Sequence, residues 1–262
     1  MLVASERLAG TYGHHVPASR VMARALPAMT NSESCKSCAM RQFCAMNPGE
    51  LACTKEMDEL VLGHRHVKKG EALYRVGDTF KNIYAVRTGS FKKLTLLSDG
   101  REQVTGFYLA GEPLGLDGIS NGHYASDAIA LEDSSVCVMP FELLELLSRE
   151  VKAVLHHVYR LLSAEVVRES SLMMLLGTMT ADERVASFLL DLSRRWQQRA
   201  YSPTQFVLRM TREETGSFLG IKLETVSRTL SRFQKDGLIE VNGKEVRILD
   251  LRRLHEAGHA RC

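Results

Sequence analysis

Between residues 58 and 140 the apolar positions come in short runs punctuated by glycine at roughly ten-residue intervals, as in "NIYAVRTG", "FKKLTLLSDG" and "EQVTGFYLAG". Nine of the nineteen glycines fall between Gly70 and Gly122, concentrating the turn signals in this region. That texture predicts an antiparallel barrel or jelly roll. "SDG", at Ser98–Gly100, fits a hairpin turn between two of its strands. Near Pro140 the period changes. "FELLELLSREVKAVLHHVYRLLSAEVVRESSLMMLL" contains no Gly or Pro and is rich in helix formers, predicting one long helix or two shorter ones. Along it Val151, Val154, Val158, Leu161 or Leu162, Glu165, Glu169, Leu172 and Leu176 recur at three/four spacing. The stripe reads either as a core-facing surface or as a coiled-coil dimer seam of Val154, Val158, Leu161, Glu165, Glu169 and Leu172. In a seam the two acids would cost association energy and leave a marginal dimer. The pattern alone fits both.

The pattern changes again at "MTREETGSFLGIKLETVSRTLSRFQKDGLIEVNGKEVRIL", residues 210–249. Thr211 with Glu214 three residues on is a capping box opening a short helix, and Gly220 permits a sharp turn. A second helix then runs to Gly237, with Val226, Leu230 and Phe233 as its buried face and Glu224, Ser227, Arg228 and Ser231 on another. "LIEV", Asn242-Gly243 and "EVRIL" predict a β-hairpin with a type I′ turn. Helix–turn–helix plus hairpin is the winged DNA-binding arrangement. Its chemistry suits a major groove: Arg228 can pair bidentately with guanine O6/N7, Glu224 can accept from cytosine N4, and Ser227 can meet either kind of edge. An acid near the start of a DNA-facing helix makes sense for reading bases, not for binding phosphate. Arg209, Arg212, Lys222, Arg232 and Lys235 are candidate phosphate contacts.

Composition adds little to the fold and something to the function. With 45% hydrophobic and 25% charged residues in 262, the chain reads as an ordinary globular protein large enough for two domains. The overall charge is only +3, but residues 180–262 carry 15 Lys+Arg against 11 Asp+Glu, so the excess lies with the helix–turn–helix. No run approaches the roughly 18–20 apolar residues of a membrane span. The first thirty residues lack the apolar centre of a signal peptide and read as a flexible leader. A cytoplasmic location is expected.

In that setting six cysteines point to metal or redox chemistry more than to a disulfide framework. "SCKSCAMRQFCAM" places Cys35, Cys38 and Cys44 at x2 and x5 spacings. On spacing alone, a zinc site and an iron–sulfur site are comparable, and unliganded thiols are a third reading. The x5 gap exceeds the x2–x4 of compact zinc loops and leans weakly to the larger cluster. None of the histidines suggests a site. His123, Glu112 and Asp117 lack the paired histidines that a cupin-like metal barrel or enzyme would use, so no catalytic role is expected.

These residues together resemble the CRP/FNR superfamily of bacterial transcription regulators, and most closely its FNR-type members. The resemblance covers roughly residues 33–250 and rests on the Cys-x2-Cys-x5-Cys, "IYAVRTG", "QVTGFYLAGEPLGLDGI", "SSVCVMPFE" and "LETVSRTLSRFQ". It implies an α+β protein. Its parts are a leader (1–30), a cysteine-rich cluster-binding segment (31–57), a β-roll sensor domain of the cyclic-nucleotide-binding type (58–145), a dimerisation helix (146–178) and a winged helix–turn–helix (179–255). It implies a homodimer on a palindromic DNA site of the TTGAT type, read by Glu224, Ser227 and Arg228, and contact with RNA polymerase. It also implies an oxygen-labile [4Fe–4S] cluster on Cys35, Cys38, Cys44 and Cys137, whose loss weakens the dimer. A nitric-oxide or redox sensor with the same thiols is the alternative within the family, and a zinc-stabilised DNA-binding protein the alternative outside sensing.

The chain departs from the family pattern in three places. Leu116 and Tyr124 stand near the positions where cyclic-nucleotide binders carry Glu and Arg, so cAMP binding is not expected. Cys53 has no counterpart in the pattern and is a rival fourth ligand. Arg101 replaces an acid on the loop associated with polymerase contact.

Overall fold

The computed structural model describes residues 60–97 and 99–258, so Cys35, Cys38, Cys44, Cys53 and Cys262 lie outside the described residues. Eight strands form the first half: β1 (Gly63–Val67), β2 (Ala72–Tyr74), β3 (Asn82–Thr88), β4 (Ser90–Leu96), β5 (Glu102–Leu109), β6 (Pro113–Leu114), β7 (Asp127–Ala130) and β8 (Ser134–Pro140). They make two four-stranded antiparallel sheets, ordered β1-β8-β3-β6 and β2-β7-β4-β5. This is the expected β-roll. Its interior holds Tyr74, Tyr84, Val86, Phe91, Tyr108, Leu114, Tyr124 and Val136.

Strand alternation explains why β8 reads "VCVMP" without polar interruption after Ser134 and Ser135. Val136 points into the roll, while Cys137 and Met139 point to the opposite face, into a second apolar cluster with Leu60, Ile83, Ala85, Leu144, Leu147 and Val154. Both faces of the strand are buried, so both must be apolar.

The helical stretch is two helices, not one. Pro140, at φ −62°, precedes α1 (Phe141–Glu150), and Val151 adopts an extended conformation before α2 (Lys152–Thr178). Leu144, Leu147 and Val154 are the buried positions that seat α1 and the start of α2 on the outer face of the first sheet. α3 (Ala181–Gln198) opens on a second capping box, Thr180 with Glu183.

The last third is a winged helix–turn–helix: β9 (Gln205–Val207), α4 (Arg212–Leu219), α5 (Leu223–Lys235), β10 (Ile239–Asn242), β11 (Glu245–Ile248) and α6 (Leu251–Gly258). Two details differ from the sequence expectation. The wing has three strands, because β9 pairs with β11 ahead of the first helix. The hairpin turn is Gly243-Lys244, since Asn242 pairs with Glu245. Gly243 has φ +60° and Lys244 is not left-handed, the dihedral signs of a type II′ turn, where a type I′ turn at Asn242-Gly243 was expected.

The winged domain does not stand apart from the roll. Its core is continuous with the outer side of β5, where Val104, Phe107 and Leu109 join Phe188, Leu189 and Leu219. Phe107, Phe188 and Phe218 form an aromatic triangle with centroids 5.2–6.0 Å apart.

Candidate functional site

The recognition element is built as its sequence requires. Thr211 Oγ1 accepts from the Glu214 amide at 3.0 Å, and the Thr211 amide donates to Glu214 Oε2 at 2.6 Å. Gly220 closes α4 in the left-handed region at φ +62°. Gly216 has no room for a side chain, because a Cβ there would lie 2.6 Å from the Ile221 carbonyl oxygen. This close approach sets the turn angle between the two helices. In α5, Val226, Leu230 and Phe233 are buried as expected, joined by Thr229, whose hydroxyl donates to Asp182 Oδ1 at 2.8 Å.

The opposite face of α5 is open. Glu224, Arg228 and Ser231 are exposed and Ser227 is half-buried, so the three candidate base readers share one accessible face near the helix start. Among the candidate phosphate contacts, Lys222 and Lys235 are exposed and Arg212 is half-buried. Arg209 pairs with Glu132 of the roll at 3.1 Å, and Arg232 pairs with Asp182.

Part of the expected dimer seam faces the chain's own roll. Val154 is fully buried and Val158 packs beside it against the chain's own roll. Glu165 accepts from Tyr108 Oη at 2.6 Å and from Lys93 Nζ at 3.3 Å, both on the roll. Leu161 and Leu172 are half-buried, and of the six residues only Glu169 is exposed. The apolar side chains that α2 leaves in the open are Tyr159, Val166, Val167, Met173 and Met174, at 59–68% exposure. Tyr159, Val166 and Met173 are spaced by seven, with Glu169 between the last two. The helix carries two apolar stripes one residue apart, and its own β-roll covers the one that holds Glu165.

Cys137 is the one described cysteine, 8% exposed. On β8 it stands opposite His64 of β1 and Ala85 of β3. Its apolar cluster also contains Leu60, where the described fold begins, and Val154, at the start of α2. A thiol in dry surroundings, beside the point where the cysteine-rich segment enters the fold, fits the donor set of a buried cluster. Among the described residues no three His, Cys, Asp or Glu side chains converge on one centre.

Of the other positions singled out, Tyr124 fills the roll interior. Its ring stacks on Tyr74 with centroids 4.0 Å apart, and its hydroxyl donates to the Asn82 carbonyl at 2.8 Å. Leu116 begins a 3-10 turn. Asp117 accepts from Ser126 Oγ at 2.5 Å, and His123 is exposed. Glu112 is turned out of the roll to four partners: Arg168, Arg195, Arg199 and the Leu109 amide. Nothing in the sequence pattern singled out these partners, which lie 56 to 87 positions later apart from Leu109. Among the described residues no helix is long and apolar enough to cross a membrane.

Comparison with known proteins agrees with this geometry. Residues 64–150 match a cyclic nucleotide-binding domain model and residues 183–257 a Crp-like helix-turn-helix domain model. The chain is 42% identical over 233 residues to the transcriptional activator protein anr of Pseudomonas aeruginosa, covering 89% of this chain and 94% of that protein. It is 41% identical over 231 residues to the fumarate and nitrate reduction regulatory protein of Escherichia coli, covering 87% and 91%. Among solved structures, FixK2 from Bradyrhizobium japonicum superimposes with a TM-score of 0.71 at 32% identity, covering 76% of this chain and 98% of that one. With two domain models in the expected order and such identity over nearly its whole length, this chain belongs to the CRP/FNR family of DNA-binding transcription regulators, on its FNR side.

Proposed function

We propose that this regulator is oxygen-responsive and binds palindromic DNA of the TTGAT type as a homodimer, with a [4Fe–4S] cluster on Cys35, Cys38, Cys44 and Cys137. The observation that carries this reading is the shared apolar cluster of Cys137, Leu60 and Val154. It joins the thiol on β8, the entry of the cysteine-bearing segment and the first turn of α2. Bound there, the iron–sulfur group would supply an oxygen-sensitive cross-link between residues 35–44 and β8.

The chain's own residues do the rest. Leu60, Ile83, Leu144 and Leu147 keep water from the Cys137 thiol, and Val154 and Val158 carry α2 on the same surface. A change at that surface moves α2, whose open stripe of Tyr159, Val166 and Met173 takes the second copy. Glu169, between Val166 and Met173, keeps the helix pair weak, because a carboxylate in a seam is costly to desolvate. A difference of a few kcal/mol then decides between monomer and dimer. In the dimer Arg228 reads guanine, Glu224 cytosine and Ser227 an adjoining edge, while Arg212, Lys222 and Lys235 hold phosphates. Arg209 and Arg232 exchange Glu132 and Asp182 for phosphate.

Tyr124 presents a ring and a committed hydroxyl where a cyclic phosphate would need a cation, so cAMP is not a ligand. The end of β4 and the turn after it expose Leu96 and Leu97, with Arg101 held by Asp99, and this edge is the proposed polymerase contact. The test is DNA affinity of iron-loaded protein before and after air exposure. Anaerobic binding at least about tenfold tighter supports the proposal, and equal affinities overturn it.

A further inference from the structure

The recognition helix can read a palindrome only if each winged domain is held at a fixed angle to its dimer helix. A cluster of charges lies at that joint. Glu112, on the turn between β5 and β6, is 8% exposed and anchored to the roll by its own backbone: the Val86 amide donates to its carbonyl at 3.0 Å. Its carboxylate accepts from Arg195 Nη2 at 2.6 Å and Nε at 3.0 Å, on α3, and from Arg199 Nη2 at 2.6 Å, at the C-cap of that helix. The same arginines also donate to roll carbonyls, Arg195 to Phe107 at 2.7 Å and Arg199 to Ala110 at 2.6 Å. Arg168 of α2 approaches the carboxylate at 3.6 Å, its guanidinium over the Tyr108 ring at 4.9 Å. One carboxylate thus ties together the roll, the dimer helix and the first helix of the winged domain.

The docked arrangement is compatible with reading DNA. The roll covers α3 and α4, the latter through Ser217 Oγ, which accepts from the Val104 amide at 2.9 Å, and through Glu214, paired with Lys92 at 2.8 Å. The faces carrying Glu224 and Arg228 stay open. Because it leaves the readers exposed, the contact orients them without hiding them.

We propose that Glu112 is a positioning residue for DNA recognition: by gripping Arg195 and Arg199 it fixes the winged domain on the β-roll of its own protomer, so that the two recognition helices of a dimer keep one spacing. The inference rests on the homodimeric, palindrome-binding reading above. A loosened domain still binds a single half-site. It loses the advantage of engaging two at once, because the second event no longer occurs at high effective concentration.

The test uses full-length, iron-loaded protein under anaerobic conditions, as wild type and as Glu112→Gln. Affinity is measured for duplexes with the natural half-site spacing, with one to three base pairs inserted, and with a single half-site. For Glu112→Gln the expected result is about tenfold weaker binding at natural spacing, unchanged half-site binding, and a penalty for insertion reduced to less than about threefold. The Val104 amide should also exchange faster with solvent in that variant. Because Glu112→Gln leaves Arg168, Arg195 and Arg199 facing a neutral amide, Arg199→Gln is run beside it and should relax spacing in the same direction. Wild-type spacing dependence in both variants overturns the proposal, as does an equal loss of half-site and palindrome binding, which marks a merely structural role. A wild-type protein indifferent to spacing sinks the palindrome reading itself, and that result is distinguishable from either.

Discussion

The guanidinium of Arg184, near the start of α3, donates to the Leu219 carbonyl at the end of α4 at 2.9 Å. It also donates to Leu176 near the end of α2 at 2.7 Å and to Met179 between the helices at 2.9 Å. Helix ends leave carbonyls without intrahelical partners, and one side chain satisfies two of them, with the Met179 carbonyl between, at the junction of the dimer helix and the reading head. Arg184→Ala should therefore cost about 3 kcal/mol of stability, since charge-assisted bonds contribute about 1.5–3 kcal/mol and the stranded carbonyls add desolvation. Urea unfolding of the two proteins measures this. A loss below about 0.5 kcal/mol, the scale of an ordinary surface substitution, contradicts it.

The register of α2 separates two substitutions that sequence alone would treat alike. Val166→Glu, on the open stripe, should convert the dimer to monomer with little effect on the monomer's melting temperature. Glu165→Val, which removes an acid from the alternative stripe, should not tighten the dimer. It should destabilise the fold by about 1–3 kcal/mol by stranding the Tyr108 hydroxyl and Lys93. Sedimentation and thermal melts read both. A tighter dimer from Glu165→Val would restore the register expected from sequence.

Acid should loosen the joint at Glu112. Burial alone would raise its pKa, but Arg195, Arg168 and Arg199 outweigh that and hold it at about 2, against an ordinary 4.5. Burial also draws the guanidiniums down while Glu112 lifts them; the net is upward at Arg195 and downward at Arg199. A depressed carboxylate contributes stability that is complete above the unfolded pKa and lost as pH falls through the folded one. Stability of wild type relative to Glu112→Gln should be constant at neutral pH and should fall by on the order of 3 kcal/mol between about pH 4.5 and 2. A pH-independent difference between the two contradicts this.

On DNA, Arg228→Ala should cost about 1–3 kcal/mol and relax preference at one base pair of each half-site. Arg212→Ala should weaken all sequences alike and lower the salt dependence by about one phosphate per half-site. Binding titrations against single-base variants at several salt concentrations distinguish the two. A sequence-dependent effect of Arg212→Ala would assign it to base reading instead.

What could be read from sequence follows the range of the interactions involved. The Thr211–Glu214 capping box, the Gly220 turn and the buried face of Val226, Leu230 and Phe233 are set by residues within one or two turns, and each forms as its pattern indicates. The stripe of α2 was visible but not its direction, because Val154 and Glu165 are oriented by strands of the roll that the helix sequence does not encode. Glu112 was noticed only as a metal candidate; its partners are arginines distant in sequence, and no local spacing connects them. The third wing strand escaped for a similar reason, since Gln205–Val207 is too short to show a period and is recruited by β11. Cys137 was recognisable only by its resemblance to a family pattern. The fold adds that the thiol is buried in one apolar cluster with Leu60 and with Val154 at the start of α2.

The most direct measurement is the iron and acid-labile sulfide content of anaerobically prepared wild type, Cys137→Ser and Cys53→Ser. The expected result is about four of each per chain, the stoichiometry of a [4Fe–4S] cluster, in wild type and Cys53→Ser, with both lost in Cys137→Ser. Zinc without sulfide in the wild type, or a cluster that survives Cys137→Ser and is lost in Cys53→Ser, would contradict the assignment.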